Sequence, residues 1–594
     1  METLSRRALL FDLAILVGSW AFLGLLHPAS KVFWLKFDWV VYHYLPMPLT
    51  LDGAREAIRW DATVLYPLRP RPVRAIESWL SIKAFGCSPY LYDAVNILAA
   101  GIAIWAVARI TLRVTARRES AAVVASALAV SYATGFFLIG QGFALGAAPA
   151  FLAVAAFFEA GARAGTGRIA LIAAGVVMLG LAALSHDTFA ALALVPLAWA
   201  VIVRRDRATV LSAIPFVAVP LAVGLLARSG MPVTNYTKQI WRIFSAIHTA
   251  PEVVAVYPAR VVMTLLSGGI PVDSLRALPY FPAFTRIRDL LVTPAGILTI
   301  VVVVAPVIGL TALGIAARRG AFAGPRILFG VAWLAVGSLP LMLPIATPEA
   351  FHLTTALPGF FLLWTFAFAV KPRWRRAVAW ALFGLFVVVH GGFRYVLFHR
   401  DLPAMEQPVL ALQRILRDGA LDGHAARILF FPAQIGGHYA MMPVVAALYH
   451  DERTATCIRG DRVTACLVEP IWIWTTFGSG PAIPPACRTS GGVRVGPLTL
   501  AQQSLIEESR NILARPDVKL ATRPENETVR TCPIVSVEMK TTPDGVFRHY
   551  AVGDEPAGTR WYRYSGERNE SLVRIEDCAV AARQHGRAPA AAVR

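Results

Sequence analysis

The sequence predicts a polytopic α-helical membrane domain over residues 1–400, then a C-terminal water-facing α/β domain over 401–580 and a disordered tail over 581–594. Three observations lead there. Apolar runs of about 18–22 residues recur from Ala8 to Val396, the length a helix needs to cross a hydrocarbon core of roughly 30 Å. Basic residues gather in the short gaps between those runs. After Arg400 the long apolar runs stop, and polar, proline-rich and glycine-rich stretches replace them.

Taken in order, helix 1 is expected at about 8–26, helix 2 at about 91–110, and helices 3 and 4 at about 120–139 and 143–160. Helices 5 and 6 follow at about 168–184 and 188–203, joined by Ser185-His186-Asp187, with helix 7 at about 209–228. Helices 8 to 11 are expected at about 293–316, 326–345, 353–370 and 376–396, giving about eleven spans. The first run is long, lacks a clear small-x-small cleavage site and is followed by many more, so it reads as a retained anchor and not a signal peptide.

A net charge of +20 raises the question of nucleic acid, but the placement of the charges answers it. Arg6/Arg7, Arg109 to Arg118, Arg163/Arg168, Arg204 to Arg207, Arg318 to Arg326 and Lys371 to Arg376 fall in gaps that all lie on one side once the helices alternate. Short basic loops mark the cytoplasmic side and meet anionic membrane lipids, so nucleic acid is set aside. The N-terminus is then cytoplasmic. Residues 27–90 and 229–290 form large outer loops, and the domain after Arg400 lies outside. The arginine- and alanine-rich usage suggests a bacterial inner membrane, with a periplasmic C-terminal domain.

In that domain, Arg427 to Phe431 reads as a strand, Pro443 to His450 as a short helix, and 454–458 with 462–467 as a hairpin around Arg-Gly-Asp. Cys87, Cys457, Cys466, Cys487, Cys532 and Cys578 all fall on the outer side, where an oxidising compartment favours a disulfide over free thiols. Cys457 with Cys466 is the first pair expected, and the spacing does not match a zinc site.

The stretch from Phe37 to Asn96 carries much of the chemistry. It holds Asp38, Asp52 and Asp61, the segment Tyr66-Pro-Leu-Arg-Pro-Arg-Pro-Val73, then Phe85-Gly-Cys-Ser-Pro89 and Asn96. On the same predicted side lie Ser185-His186-Asp187, Glu349 with His352, and Arg260, Arg286 and Arg288 of the second outer loop. Carboxylates, histidines and arginines beside lipid suit a substrate with a phosphate head and a lipid tail. Each group also has a plainer role: Asp38 as a solvated loop residue, Asp187 and Glu349 as helix caps, and the arginines as lipid headgroup contacts.

The order of these motifs resembles membrane glycosyltransferases of the GT-C class, in particular the protein O-mannosyltransferase and TMTC-like branch. In that family an acidic motif follows helix 1, then come an Arg-Pro-Leu-type motif, a Gly-x-x-Pro step and an Asn in helix 2. Here Arg71-Pro72-Val73 precedes Gly86-Cys-Ser-Pro89, and Asn96 falls ten residues after Gly86. Ser185-His186-Asp187 resembles a later Ser-Lys-Glu motif. The chain departs in having Trp39 after Asp38, Asp93 where a His is usual, and no arginine near Glu349. The resemblance covers about residues 1–400. It implies transfer of a sugar from a polyprenyl-phosphate donor, with inversion, to a glycan, lipid or protein acceptor. It implies Asp38 as general base, Arg71 with Arg260, Arg286 and Arg288 on the donor phosphate, and His186, Asp187, Glu349 and His352 as orienting groups. A divalent metal is optional for such donors. A transporter or flippase of lipid-linked sugars, or a non-catalytic assembly factor with a periplasmic binding domain, would use the same topology without a converging site.

The map predicts that topology reporters fused at Arg205 and near Gly491 read opposite sides of the membrane; the same reading from both would overturn it.

Overall fold

The computed structural model describes residues 6–27, 47–60, 71–85, 89–139, 143–229, 261–270, 294–317, 324–342, 350–369 and 373–401, with seven strand segments between 426 and 575. Two compact units result. One is Met1–Lys31 with Met47–Asp401, and the other is Val32–Pro46 with Leu402–Arg594.

The first unit is a helical bundle. Its elements are α1 (Arg6–Leu26), α2 (Leu51–Trp60), α3 (Pro72–Phe85), α4 (Pro89–Thr115), α5 (Arg118–Val130), α6 (Tyr132–Ile139), α7 (Phe143–Ala160) and α8 (Gly165–Ser185). A 3-10 turn, Asp187–Ala193, leads into α9 (Leu194–Trp199) and a π turn, Ala200–Arg204. Then come α10 (Arg207–Ser229), α11 (Pro294–Ala316), α12 (Gly324–Gly337), α13 (Leu357–Ala367) and α14 (Arg373–Val396). Among the described residues eight helical segments are long and apolar enough to cross a membrane. Leu9, Leu13 and Val17 on α1, Ile169 and Val177 on α8, and Leu221 and Leu225 on α10 are exposed. Apolar rows of that size are costly against water and natural against lipid.

Several spans depart from their expected form. The run expected as one helix over 120–139 breaks at Ser131, whose backbone is extended (φ −51°, ψ 133°), leaving α5 and α6. Helix 9, expected over 326–345, stops at Gly337 and continues as a 3-10 turn, Leu339–Met342, where Pro340 cannot donate a helical hydrogen bond. The helix expected from 353 starts at Leu357, after a 3-10 turn over Ala350–Thr355. The helical run after α9 ends at Arg205, held left-handed at φ 56°.

The arginines read as loop charges at the end of helix 2 lie on α4 and are paired. Arg109 donates to Asp12 at 2.9 Å and to Glu159 at 2.6 Å, and Arg113 also binds Glu159. This network joins α1, α4 and α7. Two carboxylates face two guanidinium groups, so the apolar helices carry little net charge there.

Close packing elsewhere relies on missing side chains. A Cβ on Gly314 would lie 2.1 Å from the Leu363 carbonyl oxygen, and one on Gly337 would lie 2.3 Å from that of Thr355. With only small residues at the contact, α11 and α12 approach the α13 region at backbone distance, as membrane helices do.

The second unit contributes β1 (Ala426–Phe430), β2 (Val463–Leu467), β3 (Cys487–Arg494), β4 (Ile534–Thr542), β5 (Gly545–Val552), β6 (Arg560–Tyr564) and β7 (Val573–Ile575). One sheet has the order β2-β1-β6-β7, with β1 parallel to β2 and β6, and β7 antiparallel to β6. The other is the antiparallel sheet β3-β5-β4. Segment 463–467, expected in a hairpin with 454–458, pairs in parallel with β1, placing Cys466 opposite Leu429. Residues 443–450 and 454–458, Cys87, Cys457, Cys532 and Cys578 lie outside the described residues.

Gly337→Ala is expected to cost about 1–3 kcal/mol, because backbone must move to admit the new carbon. Gly384→Ala, with nothing within 4 Å of the added carbon, should be neutral or stabilising. Thermal unfolding in neutral detergent checks both.

Candidate functional site

The site forms where α8 runs out. His186 leaves the helix with extended backbone (φ −152°, ψ 123°), and Asp187 opens the following 3-10 turn. The turn is fixed by the histidine. His186 Nδ1 accepts from the Thr188 amide at 3.3 Å. A ring nitrogen that accepts cannot donate, so the 3.4 Å approach of the same Nδ1 to Asp187 is not an ion pair. Burial is the main influence holding His186 well below its usual titration range, and the Arg71 charge adds to it. His186 is a neutral imidazole whose proton sits on Nε2.

Asp187 is thereby left for another partner. Arg71, the residue just before α3, donates through Nη2 to Asp187 Oδ1 at 3.1 Å. Their side chains are 10% and 20% exposed, dry enough for the attraction to matter. The cap, the plainer of the two roles expected of Asp187, belongs to His186.

A second link between the same helices lies beside the first. Ser185 Oγ donates to Glu77 Oε2 of α3 at 2.9 Å. Gly146 of α7 makes room, since a Cβ there would lie 3.1 Å from Ser185 Oγ and 2.8 Å from the Phe189 ring. Burial raises the Glu77 carboxyl to about 7, opposed by the Ser185 hydroxyl and by Arg74. His352, from the 3-10 turn before α13, brings its ring to 6.4 Å from that of His186, and Phe143 meets His186 edge-on at 5.0 Å.

At the start of α4, Asp93 accepts from or donates to His27 across 3.0 Å, both buried, and Asn96 is buried one turn further on. Because α7 and α8 form an antiparallel hairpin, with Gly146 against Ser185, the Arg71 cluster lies at the end of the bundle opposite the Arg109 network.

Of the residues expected to act, Arg71, His186, Asp187 and His352 come together. Asp38, Arg260, Arg286, Arg288 and Glu349 lie outside the described residues. Glu77 and Ser185 were missed as a pair, being 108 positions apart. The available signal was weak: a lone acid six residues after Arg71. Among the described residues no three His, Cys, Asp or Glu side chains are placed to hold a metal. The arrangement offers a fixed guanidinium, a neutral imidazole and a carboxyl that changes charge near neutrality.

The Glu77 carboxyl gives a pH signature. Its folded value lies near 7 against an ordinary 4.5, so between those values the folded state holds the extra proton. Its stabilising effect is complete below about pH 4.5 and lost as pH rises through about 7. Wild type should therefore lose up to about 3 kcal/mol over that window from this group, and Glu77→Gln should lose less. Thermal midpoints measured from pH 5 to 8 test this; parallel curves would refute it.

No protein-family model matches the chain, and no curated protein matches its sequence. Solved structures that resemble it include the oligosaccharyltransferase of Archaeoglobus fulgidus in its apo form, at 12% identity and a TM-score of 0.44, covering 97% of this chain and 77% of that one. The archaeal oligosaccharyltransferase AglB from Archaeoglobus fulgidus, in complex with an inhibitory peptide and a dolichol-phosphate, aligns at 11% identity and a TM-score of 0.40, covering 98% and 78%. The arabinofuranosyltransferase AftD from Mycobacteria aligns at 14% identity and a TM-score of 0.41, over 84% of this chain and 38% of that one.

Proposed function

We propose that the chain is a membrane glycosyltransferase that moves a sugar from a polyprenyl-phosphate donor to a glycan, lipid or protein acceptor on the outer side. The observation that carries this reading is the buried Arg71–Asp187 pair, set beside His186 and His352 at one end of a bundle of apolar helices. An arginine held in one orientation by a carboxylate is suited to a phosphate that arrives from lipid.

In the proposed reaction the acceptor hydroxyl attacks the anomeric carbon from the face opposite the leaving group. A new carbon–oxygen bond forms as the bond to the lipid phosphate breaks, and the configuration inverts. The hydroxyl proton passes to Asp38, and the departing phosphate takes the bonding electron pair. Arg71 steadies that developing charge, joined by Arg260, Arg286 and Arg288. Asp187 positions Arg71, while His186 and His352, with Glu349, orient the substrates.

A transfer assay with a panel of polyprenyl-phosphate sugars tests the scheme. Asp38→Asn keeps the shape and removes basicity, so turnover should fall about 10²–10⁴-fold with donor binding little changed. Arg71→Ala should weaken donor binding and turnover together, and Arg71→Lys should restore only part. Near-wild-type activity in folded Asp38→Asn would move the base to another carboxylate, with Asp61 and Asp187 next to test. No turnover of any donor by wild type would favour an assembly factor.

A further inference from the structure

A second arginine is buried in the bundle, and among the described residues it has no carboxylate partner. Arg394 of α14 is 0% exposed. Its Nη1 donates to the carbonyl of Ala129, in the last turn of α5, where carbonyls lack intrahelical partners. The other two nitrogens, Nε and Nη2, have no hydrogen-bond partner among the described residues. Those two share one edge of the guanidinium plane. Their N–H bonds run side by side, the arrangement that grips two oxygens of a carboxylate or phosphate at once.

The surroundings add donors. A Cβ on Gly135 would lie 3.6 Å from Arg394 Nε, so the side chain runs along the break between α5 and α6, from Ala129 to Gly135. Ser131 lies in that break and Thr134 in the first turn of α6. Each is 0% exposed, and neither hydroxyl has a partner among the described residues. Beyond the break starts α6, an eight-residue helix (Tyr132–Ile139) whose N-terminal end favours negative charge. His390, one turn before Arg394, accepts the Tyr132 amide at 3.2 Å and so fixes where α6 begins. The nearby carboxylate, Asp93, is held by His27, whose ring lies edge-on to Phe398 at 4.5 Å. Phe398 in turn carries the Arg394 guanidinium at 5.6 Å.

A guanidinium does not give up its proton, so burial leaves a full positive charge met by a carbonyl and the Phe398 ring among the described residues. We propose that Arg394 and the α5–α6 break form an oxyanion site that takes a phosphate group. Phosphate fits better than carboxylate, because the fork and the two buried hydroxyls supply more donors than two oxygens can use. The group could be the head of a lipid phosphate or free phosphate. The site uses neither Arg71 nor any step of the transferase reading.

Thermal unfolding of the full chain in neutral detergent, at constant ionic strength, tests the proposal. The probes are sodium phosphate and farnesyl phosphate, with sodium chloride and sodium acetate as references. Saturating phosphate in either form should raise the midpoint by about 2–4 °C over chloride and exceed acetate. Farnesyl phosphate acting at lower concentration than inorganic phosphate identifies a lipid head; equal action identifies free phosphate. Arg71→Ala removes any phosphate bound by the site of the transferase reading; the rise that remains in that background should be lost when Arg394→Met is added. Thr134→Val, which keeps the arginine, should need about tenfold more phosphate for the same rise, and it decides the matter if Arg394→Met does not fold. No rise over chloride in wild type or in Arg71→Ala overturns the site. So does an equal rise with acetate, or an unchanged phosphate response when Arg394→Met or Thr134→Val is added to Arg71→Ala.

Discussion

The pair between Arg71 and Asp187 sets the geometry of one end of the bundle. Helices that face lipid have nowhere along their middle to leave a charge, so ionic groups collect at the ends and pair there. Arg71 stands before α3 and Asp187 after α8, and their 3.1 Å contact brings two segments more than a hundred residues apart into one place. Once they meet, the Glu77–Ser185 hydrogen bond falls into register along the same two helices. Loss of one partner would leave the other charge poorly solvated, which costs more than the pair itself contributes. The Arg109 network does the same work at the other end, where Asp12, Glu159 and Arg113 tie α1, α4 and α7.

Much of the bundle was legible because membrane thickness imposes a length on apolar runs, and the runs at about 8–26, 143–160 and 209–228 need nothing else to be seen. The break at Ser131 was not, because the residues on both sides are apolar and the run does not pause. What makes the break is distant: His390, 258 positions away, takes the Tyr132 amide. Arg109 and Arg113 were misread for a related reason. Counting basic residues near helix ends indicates sidedness but says nothing of partners, and Glu159 lies 50 positions from Arg109. In the second unit the strand near 427 follows from its β-branched and aromatic content, whereas the parallel pairing of 463–467 with it depends on long-range contacts that local pattern cannot carry.

The candidate site was legible in its residue types more than in their roles. Asp187 read as an orienting group or, more plainly, a cap, and it is an arginine partner. His186 looked like an orienting group, and its first function is to hold the turn by accepting the Thr188 amide. The same hydrogen bond settles the tautomer, directing the ring's only proton to Nε2, so the turn and the chemistry of the ring have one cause. Glu77 drew no attention because a single carboxylate on a polar helix face is ordinary. Only its burial against Ser185 makes it unusual.

That burial gives the cluster an adjustable charge. Arg71 and Arg74 are cationic, Asp187 is anionic and His186 is neutral. Glu77, held near 7, is the group whose state changes across the physiological range. When it binds a proton, the charge around Arg71 becomes more positive by one unit, at a place where water is scarce and charges are weakly screened. An anion would then be attracted to the Arg71 side more strongly, while Asp187 continues to hold the guanidinium in orientation. Arg394 is built differently. Its partner is a carbonyl, which orients without neutralising, so its charge is constant and its pull on an anion does not depend on a neighbouring proton. The two arginines thus differ in the property that matters for holding and releasing an anion. One sits in a field that a single proton can change, and the other sits in a fixed one.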